Sequence, residues 1–313
     1  MLYIGIDLGG TVIKIGLVSQ GNVVGCRKLD ADSGNGLKPR LQQIADAVGC
    51  LLSETGVLPE HLGGAFLAFP GIINVRSKRV VSTNAKYDDA PSVDLQRWCF
   101  EHWGIPFAID NDARAATVGE WKYGAARNKE NVVMMTIGTG IGTGAVIDGR
   151  LLYGKHCKAG ALGGHLVVDY RGHRCTCGNI GCVEAHASSF FLPQIIRNNE
   201  RLNPAFRTNT TNYDFKHLFR EAASGNADAK AVIEDCMDVW SAAIVSYIHA
   251  YDPQTVILGG GIMNSKDIIL PYIRKKVRSL AWCPDGEVDI VASALGDNAA
   301  LAAAEYYFER QPL

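Results

Sequence analysis

Apolar runs and polar breaks follow one order twice along the chain. First, Tyr3-Ile4-Gly5-Ile6-Asp7-Leu8 meets a Gly9-Gly10-Thr11 break, and a second apolar run continues through Ile13, Ile15, Leu17 and Val18. Later, Val132-Val133-Met134-Met135-Thr136-Ile137 meets Gly138-Thr139-Gly140 and resumes from Ile141 to Ile147. Each reads as strand, tight turn, strand, and each is followed by another turn, at Gln20-Gly21-Asn22 or Asp148-Gly149-Arg150. The spacing of about 130 residues lies far beyond solenoid repeats. It predicts two related lobes, each opening with a β-meander.

Helical periodicity follows in both halves. Leu41, Ile44, Ala45, Val48, Leu51 and Leu52 share one face, and Gly56 ends the segment. Residues 227–250 form a long apolar-striped helix through Val232, Ile233, Met237, Trp240, Ile244, Val245 and Ile248, stopped by Asp252-Pro253. Ile105 to Ile109, Val256-Ile257-Leu258 and Val288-Asp289-Ile290-Val291 read as strands, and Asn298 to Phe308 as a closing helix. Strands with intervening helices define an α/β fold. The expected division is a smaller α/β lobe over 1–117, a larger α/β lobe over 118–296, and a closing helix over 297–313 returning to the first lobe.

Composition narrows the function classes. The chain has 313 residues, 47% hydrophobic and 20% charged, as in a soluble globular protein. A net charge of −1 with no basic block argues against nucleic acid as a main partner. No apolar run reaches the roughly 18 residues of a membrane span. The N-terminus lacks a basic start and a small-residue cleavage site, so it does not read as a signal peptide. Cys26, Cys50, Cys99, Cys157, Cys236 and Cys283 are scattered, which fits buried free thiols in a reducing cytoplasm better than a disulfide framework.

The other three cysteines are clustered. His165, Cys175, Cys177 and Cys182 fall within 18 residues, with Gly172, Gly178 and Gly181 among them. Three thiols and an imidazole supply the ligand number and type of a tetrahedral zinc ion. With all four positions taken by protein, such a zinc is structural. A reduced thiol cluster, or a disulfide between two of the three, is the plainer alternative. A zinc-fixed loop would aim His165 and Glu184 at a ligand.

Two further groups of residues can carry chemistry. Gly9-Gly10-Thr11 and Gly138-Thr139-Gly140 are small-residue turns that let backbone amides approach an anion, and Asp7 beside the first could hold magnesium. Neither is a Walker loop, because no Gly-Lys-Ser/Thr follows, and neither is a Rossmann fingerprint, because a strand follows the glycines. Asp110-Asn111-Asp112-Ala113-Arg114 follows a core strand and opens a helix, where α/β proteins place ligands. Asp112 could take a proton from a hydroxyl and Asn111 could hydrogen-bond its neighbour, although a helix cap alone would also favour Asn and Asp. Gly259-Gly260-Gly261 could admit an adenine and ribose, or could be a plain turn into a helix.

Together these pieces resemble the ROK family of sugar kinases and sugar-responsive repressors, within the actin-like ATPase superfamily of ribonuclease H-like fold. The motifs are Asp7-Leu8-Gly9-Gly10-Thr11, Ile137-Gly138-Thr139-Gly140-Ile141-Gly142, Asn111-Asp112-Ala113, the loop from His165 to Cys182, and Leu258-Gly259-Gly260-Gly261. The resemblance implies a two-lobed kinase with ATP and magnesium, a structural zinc on His165, Cys175, Cys177 and Cys182, and Asp112 as general base. It assigns Asn84, Asn111, His165 and Glu184 to the sugar. The nucleotide falls to Asp7, Gly9, Gly10, Thr11, Lys14, Gly138, Thr139, Gly140, Gly259, Gly260 and Gly261. His165 would serve zinc and sugar through its two ring nitrogens. A cytoplasmic homodimer phosphorylating a hexose at O6 is the expectation. The alternative is a non-catalytic sugar sensor of the repressor branch, but the first phosphate strand begins at Tyr3 and is expected to leave no room for a preceding DNA-binding domain.

Two departures from the family pattern stand out. The usual Ala-Gly-Glu-x-Gly-His is here Ala159-Gly160-Ala161-Leu162-Gly163-Gly164-His165, so Leu162 or Ala161 replaces the carboxylate that meets the sugar near C1 or C2. The catalytic motif carries Asp110 and Arg114 where Glu and Asn are usual. The first departure predicts tolerance of substitution at C1 or C2, as in a glycoside or an N-acyl hexosamine.

Overall fold

The computed structural model describes residues 1–208, 213–284 and 286–309. Two five-stranded sheets share one topology. In the first, β1 (Leu2–Leu8), β2 (Val12–Ser19) and β3 (Asn22–Asp30) form the meander. Beside β1 lies β4 (Leu62–Phe69). A separate hairpin of β5 (Ile72–Asn74) and β6 (Arg79–Ser82) precedes β7 (Phe107–Asn111), which completes the order β3-β2-β1-β4-β7. In the second sheet, β8 (Val132–Ile137), β9 (Ile141–Ile147) and β10 (Arg150–Leu151) repeat the meander, and β11 (Thr255–Gly259) and β12 (Asp289–Ala292) give the order β10-β9-β8-β11-β12. The duplication read from the sequence is thus a duplication of topology, and the architecture is the two-sheet α/β type expected.

Strand polarity sets where the polar residues go. β1, β4 and β7 run parallel, with Asp7 paired to Ala68, Ala68 to Asp110, and Phe69 to Asn111. That register carries Asp7 and the Asp110–Asp112 run to the carboxyl ends of adjacent strands, the position where open α/β sheets place ligands. β8, β11 and β12 are parallel too, and Gly259 pairs with Thr136, which sets the Gly259–Gly261 run beside the Gly138–Gly140 turn. Because helices cover parallel strands, these strands are nearly continuous in apolar residues. β11 is buried along its whole length.

In the first sheet Ile4, Ile6, Leu8, Ile13, Ile15 and Leu17 are fully buried, with Ile44, Val48 and Leu51 of α1 (Lys38–Thr55) in the same core. The helices α2 (Leu95–Trp103) and α3 (Asp112–Tyr123) flank β7 in sequence. Asn226 caps the long helix Ala227–Tyr251 through its side-chain oxygen, and the chain leaves it at Asp252 in a left-handed conformation, φ 44°. Of the scattered cysteines, Cys99, Cys157 and Cys236 are buried as expected, whereas Cys26 and Cys50 are exposed.

The chain divides into two compact units. One comprises Met1–Lys129, Gly144–Ala161 and the segment from Ser293 onward; the other comprises Glu130–Thr143 and Leu162–Ala292. The expected boundary at 117/118 falls inside α3, which continues unbroken to Tyr123, so the division lies after that helix. The expected closing helix over 298–308 is two short helical segments, Ala299–Ala302 and Tyr306–Glu309. The second segment carries three consecutive rings onto different partners: Tyr307 stacks on Phe66 at 4.1 Å, Phe308 on Tyr3 at 5.3 Å, and Tyr306 packs edge-on to Trp121 at 5.8 Å. Consecutive helical residues point about 100° apart around one axis, which spreads the three rings over separate partners.

Candidate active site

The first unit builds its site around the Gly9–Thr11 turn. The Gly9 amide donates to the Val12 carbonyl at 3.0 Å, and a β-carbon on Gly9 would lie 2.5 Å from that oxygen, so only glycine closes this hairpin. The Tyr87 hydroxyl donates to the Gly9 carbonyl and the Ser33 hydroxyl to the Gly10 carbonyl, each at 2.9 Å. The turn is therefore held from outside by two side chains. Asp7 sits behind it, 3.7 Å from the Lys14 ammonium, which also donates to the Asp297 carbonyl at 3.0 Å. Burial pushes the Asp7 carboxyl up to about 6 against the pull of Lys14, and Asp112 adds to the rise.

Asn111 and Asp112 open α3. Asn111 is the cap: its side-chain oxygen accepts the Arg114 amide at 3.1 Å. Its side-chain NH2 donates to the Gly71 carbonyl at 3.2 Å and to Asp112 Oδ1 at 2.9 Å. The same Oδ1 accepts the Ala113 amide at 2.8 Å. Asp112 is thus fixed through Oδ1 at the first turn of α3. Burial raises the Asp112 carboxyl above the ordinary range, while the Ala113 amide and the Lys86 ammonium oppose that rise.

The two unusual residues of this motif bond to each other. Asp110, at the end of β7, and Arg114, in the first turn of α3, are both fully buried and meet at 2.6 Å. Asp110 Oδ2 also accepts the hydroxyls of Tyr153 and Tyr307 at 2.9 Å each. Arg114 donates to the carbonyls of Cys157 and Ala159 at 3.1 and 3.4 Å, with the Tyr153 ring 4.7 Å from its guanidinium carbon. A buried pair persists only when its remaining hydrogen-bonding capacity is satisfied, which these partners largely do.

The second unit carries the other turn and the cysteine loop. The Gly138 amide donates to the Gly140 carbonyl at 3.0 Å, and the Ser189 and Phe190 amides donate to the Gly138 and Thr139 carbonyls at 3.1 and 3.0 Å. Glu184, buried at the start of the helix Val183–Ala187, accepts the Ile141 amide at 2.8 Å. Its carboxylate lies 2.4 Å from where a Gly140 β-carbon would stand. Gly260 has φ 89°, and a β-carbon there would lie 2.2 Å from the Ile137 carbonyl, so the glycine run after β11 packs directly on the second turn.

His165, Cys175, Cys177 and Cys182 converge, their ligand atoms all within 4.8 Å of one another. His165 Nδ1 is 3.6 Å from the Cys175 sulfur, and the Cys177 and Cys182 sulfurs are 3.7 Å apart. Ligands about 2.3 Å from a tetrahedral ion stand about 3.8 Å from one another, so separations of 3.6 and 3.7 Å, with none beyond 4.8 Å, come within about 1 Å of a zinc site. Because Nδ1 faces the sulfurs, Nε2 remains as the ring's second polar atom. Ahead of His165, the Gly163 amide donates to the Thr143 hydroxyl at 2.8 Å, and a Gly164 β-carbon would lie 1.9 Å from the Ile141 carbonyl. Both glycines are therefore needed to seat the Ala159–His165 run, which contains no carboxylate.

The family model described as the ROK family matches residues 3–311. The chain belongs to the ROK family. Among its relatives is a glucokinase of Thermotoga maritima, 33% identical over 310 residues that cover 96% of this chain and 95% of the relative. A xylose repressor of Bacillus subtilis is 27% identical, covering 95% of this chain and 74% of the repressor. Among solved structures, a ROK family glucokinase from Streptomyces griseus in complex with glucose and AMPPNP superposes with a TM-score of 0.81 at 25% identity, over 99% of this chain and 100% of that one.

Within this ROK chain, the first unit gathers Asp7, Gly9, Gly10, Thr11, Lys14, Asn111 and Asp112, and the second gathers Gly138–Gly140, Gly259–Gly261, His165 and Glu184. Asn84 lies exposed in the loop after β6. Four residues near these groups were not read from the sequence. Lys86 and Tyr87 come from a polar loop without periodicity, Asp297 from a turn, and Tyr153 from the segment after β10. No spacing rule marks any of them. Among the described residues, no helix is long and apolar enough to cross a membrane.

Proposed function

We propose that this chain is an ATP-dependent kinase that phosphorylates a hexose or hexose derivative at O6, with Asp112 as general base. The observation that carries the reading is the setting of Asp112. One oxygen is held by Asn111 and Ala113, and the carboxyl stands on the same unit as Asp7 and the braced Gly9–Thr11 turn. A general base needs that fixed orientation toward its substrate. In the reaction, the sugar hydroxyl oxygen bonds to the γ-phosphorus and the bond from that phosphorus to the β–γ bridging oxygen breaks. ADP leaves, and the hydroxyl proton passes to Asp112. Such transfer depends mainly on positioning and charge neutralisation.

The ROK resemblance assigns phosphate contacts to Gly9, Gly10 and Thr11 and, each turn taken by itself, to Gly138, Thr139 and Gly140. Gly259, Gly260 and Gly261 offer a side-chain-free surface for the nucleoside. Asp7 would hold magnesium: its carboxylate stands near the end of β1 beside the Gly9–Thr11 turn, partly exposed and 3.7 Å from the Lys14 ammonium. When bound, the ion supplies positive charge against the phosphates. Zinc on the Cys/His cluster would fix the loop that presents His165 Nε2 and Glu184; on the first unit, the resemblance assigns Asn84 and Asn111 to the sugar, where Asn111 acts by holding Asp112 Oδ1. Because the Ala159–His165 run has no carboxylate, the substrate is inferred to be modified at C1 or C2, a glycoside or an N-acyl hexosamine.

The test is sugar-dependent ADP release with magnesium-ATP across hexoses, N-acetylhexosamines, ketoses and β-glucosides. Turnover concentrated on C1- or C2-modified sugars supports the reading. Plain glucose far outrunning every derivative would sink the substrate class. Sugar binding without turnover on any member would favour the sensor reading suggested by the xylose-repressor relative.

A further inference from the structure

We propose that Lys86 is a second cation of the phosphoryl-transfer site, its ammonium contacting the terminal phosphate of ATP as that phosphate moves to the sugar. This inference rests on the kinase reading above. Its basis is geometric. The Lys86 side chain lies across the first phosphate turn: a β-carbon on Gly10 would stand 2.9 Å from Cε and 3.0 Å from Nζ. The ammonium is also near enough to Asp112 to favour its ionised form. Lys86 therefore occupies the space beside both the turn that would take the phosphates and the base that would take the proton.

The backbone is built to keep it there. Ala85 and Tyr87, on either side of Lys86, both adopt φ 55°, a left-handed conformation that residues with a β-carbon rarely hold. Such strain persists only where surrounding contacts enforce it, and it gathers at functional sites. Here the enforcing contacts are on the turn itself and next to it. The Tyr87 hydroxyl donates to the Gly9 carbonyl at 2.9 Å, and the Tyr87 amide donates to the Ser33 carbonyl at 2.8 Å, while the Ser33 hydroxyl holds the Gly10 carbonyl. Turn and lysine thus form one braced piece. A solvated surface lysine would need no such scaffold.

Lys86 differs in role from Lys14. The Lys14 ammonium is engaged by Asp7 and Asp297 behind the turn, so it neutralises carboxylates already present. Lys86 crosses the face of Gly10, where an incoming phosphate would meet it. A preorganised cation aimed at charge that develops in the transition state acts mainly on kcat, because the ground-state complex already has other contacts.

The experiment compares Lys86→Ala and Lys86→Arg with the wild-type chain. Steady-state kinetics would be measured on the best sugar, and ATP and ADP affinity by titration calorimetry with magnesium. Lys86→Ala is expected to lower kcat roughly 10²-fold, the usual effect of removing one such donor, with little change in KM for sugar. It should also weaken ATP more than ADP, and Lys86→Arg should recover most of both effects. Unchanged kcat with an unchanged ATP-to-ADP affinity ratio would overturn the proposal. So would equal impairment of both variants accompanied by a lower melting temperature, which would make Lys86 a brace for the loop. If the wild-type chain phosphorylates no sugar, the kinase reading fails, and the ATP-to-ADP comparison still decides whether Lys86 meets the terminal phosphate.

Discussion

Asp110 and Arg114 form an ion pair from which water is excluded on both sides, with the hydroxyls of Tyr153 and Tyr307 closing the carboxylate's other oxygen. The pair ties the start of α3, where Asp112 stands, to the segment Tyr153–Ala159. Residues that look like two independent departures from the family motif are therefore one substitution in physical terms, since either charge alone would be stranded in the core.

Removing one partner should cost far more than removing both. Arg114→Met leaves Asp110 buried without its counter-charge and is expected to destabilise by about 3–5 kcal/mol. Asp110→Asn with Arg114→Met should recover a large part of that loss. Urea unfolding of the two single variants and the double variant gives the coupling directly. Additive losses would show that the pair is not a unit.

Asp112→Ala should leave sugar binding in place and reduce kcat by at least about 10²-fold, the lower end of general-base contributions. The base works only when ionised, and burial raises its carboxyl. Activity is therefore full above that raised pKa and falls as pH drops through it. The acid limb of the wild-type kcat profile should lie above the ordinary aspartate range near about 4. A profile flat down to that range would remove Asp112 from the role.

Asp7 carries the opposite consequence for stability. Its carboxyl is pushed up from 3.8 to about 6 by burial, so between these values the folded chain binds more protons than the unfolded one. Stability contributed by this group is present below pH 3.8 and is lost as pH rises through about 6. Asp7→Asn does not titrate. In magnesium-free buffer its melting temperature relative to wild type should therefore increase from pH 4 to pH 7 and then level off. Adding magnesium-ATP at pH 7 should stabilise wild type more than Asp7→Asn. Calorimetric scans across pH read both effects.

The cysteine loop should hold one zinc per chain, measurable by mass spectrometry of the metal. Cys175→Ala removes a buried ligand and is expected to abolish that zinc and lower the melting temperature by about 5 °C or more. Sugar affinity should fall with it, because His165 and Glu184 flank the loop. A variant without zinc that kept full sugar affinity would separate the metal from the site.

By itself, the sequence determined what depends on local order and composition. Two apolar runs broken by small-residue turns are enough to specify two meanders, because alternation and glycine turns act over a few residues. The clustering of His165, Cys175, Cys177 and Cys182 within 18 residues was legible for the same reason. Asn111 and Asp112 were legible because a cap and a strand end have short-range signatures. Tertiary structure decided what depends on residues far apart meeting. Asp110 and Arg114 show up as mismatched residues until Tyr153 and Tyr307, 43 and 197 positions from Asp110, close around them. The rings that close the chain find their partners on β1, β4 and α3, far away in sequence. Lys86 has no periodicity and no motif around it. Only the fold, by carrying its loop onto Gly9 and Gly10, turns an ordinary lysine into a charge at the phosphate turn. Burial and charge proximity are properties of contacts, and a linear pattern holds contacts only when they are near in sequence.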